Sequence, residues 1–201
     1  MATAFTKPAT LDDFLRAEAE APEGTRLALI DGEIIEWGAN MTTRGPIHSR
    51  AMSRLSFLLW AWLNAHAELV GGVDSGEVRC RLRRDPDEVV GIDVGVWLGA
   101  EFIDPPDDPP MYDAPPILAV EILSPSDEHE QVVEKLQRYL DAGVQRVWYV
   151  DPDLKTVTVH RADTGPTLFN SAQTIAADPA LPGLTIAVAD IFRSKSTAKP
   201  S

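Results

Sequence analysis

The stretch Val120-Glu121-Ile122-Leu123-Ser124-Pro125-Ser126-Asp127 decides the fold of this chain. Four apolar residues precede its glutamate and a Ser-Pro-Ser-Asp turn follows, so the pattern predicts a buried strand that carries one carboxylate. An amphipathic helix is predicted over 127–142, and Gly143 is typical of the residue that follows a helix. The apolar run 146–150 predicts a further strand. A strand–helix–strand unit implies a parallel pair joined by a right-handed crossover.

The remaining segments predict helices and hairpins around this unit. Thr10 suits a helix N-cap because Asp13 follows three residues later, and Asp31-Gly32 between two apolar runs is a strong hairpin signal. The result is an α/β fold of mixed α+β type, with a mixed central sheet flanked by helices and an additional N-terminal hairpin. The other predicted elements are helices over 10–20 and 47–67, strands over 26–30, 33–37, 75–83, 89–98, 156–160 and 183–188, and a surface loop over 104–116 that could form a mobile flap.

The length of 201 residues predicts one domain with ample size for a buried core. We expect an N-terminal tail over 1–10, a single domain over 11–192 and a polar C-terminal tail over 193–201. The first residues lack the pattern of a secretory signal, and no apolar run is long enough to span a bilayer, so no membrane partner is expected. A single cysteine, Cys80, excludes an intramolecular disulfide and favours a reducing, cytoplasmic location.

The formal net charge of −13 argues against a protein that holds nucleic acid through broad neutralisation of phosphates. It does not argue against a nuclease whose metal ions and few local cations face the phosphate. Arg79, Arg81 and Arg83 alternate along one predicted strand. A solvated strand face is the simplest interpretation. A stripe that contacts a nucleic-acid backbone, with Arg81 as a substrate-binding residue, is the alternative.

Two acids lie in apolar strands, where an isolated charge is costly unless it is paired or binds a metal. Asp93 shares a strand face with Gly91 and Gly95, and these glycines leave open space above the acid. Glu121 ends its strand just before a strand-to-helix turn, where open α/β sheets bind ligands. If the two strands are neighbours, both carboxylates can hold Mg²⁺, which takes one or two carboxylates plus waters and phosphate oxygens. The alternative is that each acid pairs with an arginine or caps a helix.

Lys135 borders the apolar face of the helix that follows Glu121, so its amine can reach back toward the strand ends. An amine there could orient or deprotonate an attacking water, or stabilise the charge of a phosphoryl transition state. Glu33, after the hairpin turn, could add a ligand or a general base. His48, at the start of a helix, could contact a phosphate. For all three residues a solvated or structural role is the competing interpretation.

Together these residues resemble the Uma-two (Uma2) family of restriction endonuclease-like proteins in the PD-(D/E)XK nuclease superfamily. The resemblance rests on Leu29-Ile30-Asp31-Gly32-Glu33, His48, Asp93, the Val120–Asp127 stretch, Lys135, Tyr139, Gly143-Val144 and Trp148-Tyr149-Val150-Asp151-Pro152, and it covers 11–192. It implies a restriction endonuclease-like fold and a Mg²⁺-dependent phosphodiesterase, with Mn²⁺ as a substitute. The chain departs from the superfamily pattern by having Ile92 before the first acid and Leu123 where the pattern has lysine.

The resemblance implies that Asp93 and Glu121 are the two metal-binding acids and that the catalytic lysine is relocated to Lys135, with Glu33 as an additional acid. The leading hypothesis is therefore an endonuclease that cuts DNA, for which a homodimer would supply one site for each strand. A nuclease-fold interaction or regulatory protein without activity is the first alternative, and it is favoured by the acidic charge. A nuclease acting on RNA is the second.

Overall fold

The computed structural model describes residues 7–22, 25, 27–36, 45–125 and 127–193. The expected tails at 1–6 and 194–201, the loop residues 37–44 and Ser126 lie outside this part of the chain. The helices are α1 (Leu11–Glu20), α2 (Pro46–Ala65), α3 (His129–Asp141) and α4 (Val188–Phe192). The strands are β1 (Leu27–Ile30), β2 (Glu33–Glu36), β3 (Gly71–Arg83), β4 (Glu88–Leu98), β5 (Leu118–Ile122), β6 (Arg146–Asp151), β7 (Thr156–His160), β8 (Thr167–Asn170), β9 (Thr174–Ile175) and β10 (Ile186–Ala187).

Local sequence signals place the first elements as predicted. Thr10 and Asp13 form a capping box, in which each side chain accepts a hydrogen bond from the backbone N–H of the other residue. Such a cap stabilises a helix by about 1 kcal/mol. Asp31 and Gly32 both have positive φ, 51° and 78°, which is the backbone of the tight hairpin turn between β1 and β2.

The main sheet has eight strands, in the order β2-β1-β4-β5-β6-β7-β8, with β3 paired to β4. The pair β5–β6 is parallel and is connected by α3, as predicted, whereas the other pairs are antiparallel. The fold is therefore a mixed α/β architecture around a mostly antiparallel sheet. A separate two-stranded sheet joins β9 to β10.

The sheet divides at β4. One edge of β4 pairs with β3 along most of its length. The other edge pairs with β1 at Val89 and with β5 only from Val94 to Val96. Asp93 thus lies between the part of β4 that pairs with β1 and the part that pairs with β5. A carboxylate at such a division can reach the end of β5.

Helices cover both sides of this division. The larger core cluster packs α2 and α4 against the sheet, and Leu55, Leu59 and Trp148 are buried in it. A second cluster packs α3 against the sheet around Trp97 and Tyr139. A smaller third cluster, around Phe14, holds α1 on the hairpin. The end of β4–β5 can consequently receive side chains from α2 and from α3.

The chain between these elements differs from the sequence expectations in three places. Val188 begins α4, so the predicted strand over 183–188 is reduced to the two residues of β10. The loop 104–116 is not a mobile flap throughout, because Met111 and Tyr112 are buried and the Tyr112 ring stacks on Trp97 with centroids 3.9 Å apart. Strands β8 and β9 were missed, since β8 is mostly exposed and has little apolar alternation.

Candidate functional site

The two predicted acids lie at the divided end of the sheet and act on each other electrostatically. The ladder pairs Val94 with Val120, so the next residues outward along the two strands are Asp93 and Glu121. Asp93 is 2% exposed and Glu121 is 8% exposed. Because like charges in a buried environment repel, the Asp93 carboxylate is one of the causes that raise the pKa of Glu121.

Two side chains of α3 hold Glu121. The Lys135 Nζ donates a hydrogen bond to Glu121 Oε2 at 2.8 Å, and the Tyr139 hydroxyl donates to Oε1 at 2.5 Å. Lys135 and Tyr139 are four residues apart, so both project from one face of the helix. The Lys135 side chain is only 13% exposed, at the border of the α3 apolar face where the sequence placed it.

The charge on Glu121 is only partly compensated. Burial and, to a smaller extent, the neighbouring Asp93 carboxylate raise the pKa of Glu121, whereas Lys135 and the Tyr139 hydrogen bond lower it; the balance brings this pKa to about 7. The raising effects prevail. The same burial and the nearby Glu121 carboxylate raise the pKa of Tyr139 well above its usual value, so its phenol stays protonated and acts as a donor.

Asp93 is held by the backbone of β5 and by α2. The Ile122 N–H donates to Asp93 Oδ2 at 2.8 Å, which continues the β4–β5 contact beyond the last ladder pair. His48, in the first turn of α2, is buried and places its Nε2 3.3 Å from the same Asp93 oxygen. His48 therefore contacts Asp93, a proposed metal-binding acid, whereas the sequence suggested that it contacts a phosphate.

The glycines beside Asp93 do not provide the open space that the sequence suggested. A Cβ on Gly91 would lie 2.7 Å from Glu77 Oε2, and a Cβ on Gly95 would lie 2.2 Å from the Trp97 ring. The two glycines instead allow Glu77 and Trp97 to lie directly on β4. The prediction of empty space was wrong because it considered the strand without the side chains that cover it.

Glu33 and Arg81 lie outside this cluster. Glu33 is exposed on β2, opposite Ile30, at the end of the hairpin that adjoins the start of β4. By the rise of a strand, it is displaced roughly 15 Å from Asp93 along the sheet. Arg81 has its Nε 2.5 Å from Asp113 and its NH1 3.3 Å from Asp87. In this conformation Arg81 connects a loop to a strand, and the structure does not bring it to the acids.

The other arginines of the predicted stripe, and Arg84 next to it, also form ion pairs with acids. Arg79 contacts Glu18 at 2.6 Å, and Arg84 forms a hydrogen bond with Asp113. Arg83 contacts both Asp31 and the buried Glu88. This strand therefore does not present a row of arginines available to phosphates. It presents a surface of ion pairs instead.

The donor chemistry of the site fits a hard divalent cation. Carboxylate oxygens are the ligands that Mg²⁺ prefers, and one or two of them are sufficient because waters and phosphate oxygens complete its shell. Asp93 and Glu121 supply two such groups, and the partly compensated charge of Glu121 would be neutralised by a cation. Within the described residues there is no cluster of three or more His, Cys, Asp or Glu side chains that could hold a metal ion. The two carboxylates therefore suit a hard divalent cation whose remaining ligands are waters or phosphate oxygens.

Sequence reasoning treated Tyr139 as part of the apolar face of α3 and gave it no role in the site. The signal available was its spacing of four residues from Lys135, which places both side chains on one helical face.

Among the helices that the structure describes, none has the length and apolar character required to cross a membrane.

Comparisons with known proteins agree with this architecture. The sequence model of the Uma2 family, described as "Putative restriction endonuclease", matches residues 11–189. A crystal structure described as a "putative nuclease belonging to DUF820", from Anabaena variabilis, superposes with a TM-score of 0.71 at 23% identity and covers 92% of this chain and 98% of that chain. No curated protein matches the chain. The structural likeness supports the fold.

Proposed function

The chain belongs to the Uma2 family, and from this premise and the geometry of its site we propose that it is a metal-dependent endonuclease that hydrolyses phosphodiester bonds in DNA. The observation that carries the proposal is the meeting of Asp93 and Glu121 at the divided end of the sheet, beside Lys135. Buried carboxylates with a raised pKa beside a specific charged partner are characteristic of functional sites.

The side chains around the acids have separate roles in this proposal. Asp93 and Glu121 would hold the metal ion. The Ile122 N–H, His48 and Tyr139 orient these carboxylates, because each contacts one of their oxygens. Lys135 lies within hydrogen-bond distance of Glu121, so a small movement of its amine would let it donate to a phosphate oxygen or hold an attacking water.

Mg²⁺ is the proposed ion, with Mn²⁺ as a substitute; when bound, such an ion polarises the phosphoryl group and lowers the pKa of a bound water. The protein residues themselves position that chemistry and exclude solvent, since both acids are buried. Glu33 lies far along the sheet from Asp93, so its proposed role as an additional acid is tested by comparing the activity of a Glu33→Ala variant with that of wild type.

DNA is the proposed substrate, and RNA remains the alternative within the same reaction. A homodimer is proposed because cutting both strands of a duplex requires two sites. A cytoplasmic location is proposed because Cys80, the one cysteine of the chain, is a buried free thiol, as expected in a reducing compartment.

The direct test combines metal binding with nicking. Wild type and Glu121→Ala would be incubated with supercoiled DNA and with a structured RNA, while Mg²⁺ or Mn²⁺ is titrated and thermal stability is followed. We expect metal-dependent stabilisation and nicking of DNA in wild type, and loss of both in the variant. Cleavage of RNA alone would change the substrate. No metal response in either protein would refute the catalytic proposal.

A second candidate function is an inactive nuclease-fold protein that acts through interactions. One observation favours it: both Glu121 oxygens are already occupied, by Lys135 and by Tyr139, in a site closed to solvent. In an inactive protein Glu121 and Lys135 would be a buried ion pair. Replacing both with apolar residues of similar size would then preserve or increase stability, without any effect of metal in either protein.

A further inference from the structure

On one exposed face of α2, a polar residue, two aromatic residues and a second polar residue follow one another, so the pattern is the same from either end of the helix. The face, which we name the α2 stripe, consists of Ser53, Phe57, Trp60 and Asn64, all of which are exposed. Their spacings of four, three and four residues keep them on one side of the helix. Phe57 is 63% exposed and Trp60 is 40% exposed, which is unusual for aromatic side chains next to each other on a helix.

We propose that the α2 stripe binds the α2 stripe of a second copy of this chain, in an antiparallel pair about a two-fold axis between residues 58 and 59. This inference rests on the homodimer proposed above and assigns it a surface. In that arrangement Phe57 faces Trp60 of the other copy, and Ser53 faces Asn64 of the other copy. Aromatic residues meet at the centre and polar residues meet at each end, as an isologous interface requires.

The charges near the stripe favour the same orientation. Helix α2 contains Arg50 and Arg54 and has no Asp or Glu, although the chain carries a net charge of −13. Two acidic molecules would therefore meet no repulsion between carboxylates of this helix. Arg50 lies on the exposed side before the stripe, and Glu68 is exposed in the turn after α2. An antiparallel pair brings Arg50 of one copy near Glu68 of the other, whereas a parallel pair brings like charges together.

The arrangement also determines how the two sites are spaced. His48, which contacts Asp93, is ten to eleven residues from the proposed axis. With a rise of 1.5 Å per residue, the two His48 residues would lie roughly 30 Å apart along the helix axes. The pair would thus carry one site near each end of the helical contact.

The first experiment is a measurement of mass in solution for the full chain without metal or nucleic acid. We expect wild type to show twice the 21.9 kDa mass of the chain and Phe57→Glu to show the single mass. Leu154→Glu is the matched control, because Leu154 is also exposed but lies in the turn between β6 and β7. It should behave as wild type, and both variants should keep a cooperative melting transition, which shows that Phe57→Glu is still folded.

Disulfide trapping distinguishes the proposed orientation from others. A chain with both Ser53→Cys and Asn64→Cys should form a covalent dimer on oxidation, whereas each single variant should not. The two cysteines cannot bridge within one chain, because eleven residues of helix separate them by roughly 16 Å. A monomeric wild type refutes the proposed homodimer. A dimer that persists in Phe57→Glu would refute the α2 surface. A covalent dimer formed by the single variant Ser53→Cys would also refute it. Neither result depends on nicking.

Discussion

The start and the middle of β4 surround their acids in opposite ways. At the start of the strand, Glu88 lies between Arg83 and Arg138, and these arginines also contact Asp31. The hydrogen bond from Arg83, with a further contribution from Arg138, lowers the pKa of Asp31. Where the sheet divides, burial and Asp93 raise the pKa of Glu121 despite Lys135. Two arginines balance two acids at the start of β4, whereas one lysine lies beside the two acids at its middle.

The comparison shows that a buried ion pair does not by itself identify a functional site. The network at the start of β4 has charged residues as close as those of the candidate site, but its arginines lower the pKa of Asp31 and so stabilise the ionised form of that acid. Glu121 is the acid whose ionised form is disfavoured, and a cation or a proton would relieve this. The direction of the pKa shift therefore separates a structural network from a site that can take a ligand.

Exchanging Glu121 for glutamine should produce the largest effect, because it removes a charge that the metal needs and changes the shape little. We expect nicking of supercoiled DNA in Mg²⁺ to fall by more than about 1,000-fold, the upper end of the loss when one preorganised group is removed. Glu88→Gln is the matched control and should nick within a fewfold of wild type per folded molecule. Similar losses in both variants would mean that the start and the middle of β4 do not differ in function.

Removing Glu88 should affect stability instead. In Glu88→Ala two arginines lose a buried partner, and we expect the free energy of unfolding to fall by about 3 kcal/mol. Urea denaturation followed by tryptophan fluorescence measures the change. Glu121→Ala in the metal-free protein should lose less, since the charge that it removes is disfavoured there. If Glu121→Ala loses more stability than Glu88→Ala, the assignment of the structural network is incorrect.

The pH dependence of stability should reflect the raised pKa of Glu121. The folded protein holds this proton more tightly than the unfolded chain, so stability is fully present below pH 4.5 and is lost as the pH rises through about 7. At 1.36 kcal/mol per pKa unit, the loss amounts to about 3 kcal/mol at most. The measurement compares wild type with Glu121→Gln across this window, without metal. A constant difference between the two proteins would contradict the raised pKa.

Tyr139→Phe should have the smallest effect of the four. It removes the hydroxyl that donates to Glu121 and helps to lower the pKa of that acid. We expect nicking to fall about 10-fold, as for other groups that support a metal ligand, and its acidic limb to move to higher pH. The matched control is Tyr149→Phe, because that hydroxyl is also buried but donates to the Val132 carbonyl. A lower rate with an unmoved pH profile would indicate a packing role alone.

Local patterns in the sequence were sufficient for the elements around the site. The capping box at Thr10, the Asp31-Gly32 turn and the strand–helix–strand unit around α3 are each formed by residues close in sequence, and all three are confirmed. Lys135 was correctly placed at the border of its helical face, because helical periodicity determines that face.

Features that depend on distant segments could not be obtained in this way. The division of β4 depends on where β1 and β5 pair with it, and the roles of Gly91 and Gly95 depend on Glu77 and Trp97. The partners of Arg81 come from a loop more than thirty residues away and from the following turn. Sequence spacing suggested an exposed stripe of arginines because it contains no information on which acids the fold brings to them.

Glu121 and Lys135 are fourteen positions apart in the chain but in direct contact. Strand β5 ends at Ile122 and α3 begins at His129, so a longer or shorter connection between them can be accommodated as long as α3 still docks on the sheet. Within α3 the situation differs, because one inserted residue rotates everything after it by about 100° and would carry Lys135 or Tyr139 away from the acid. Relatives that keep the chemistry should therefore vary in length before α3 and keep a fixed spacing inside it, whichever residues fill the turn.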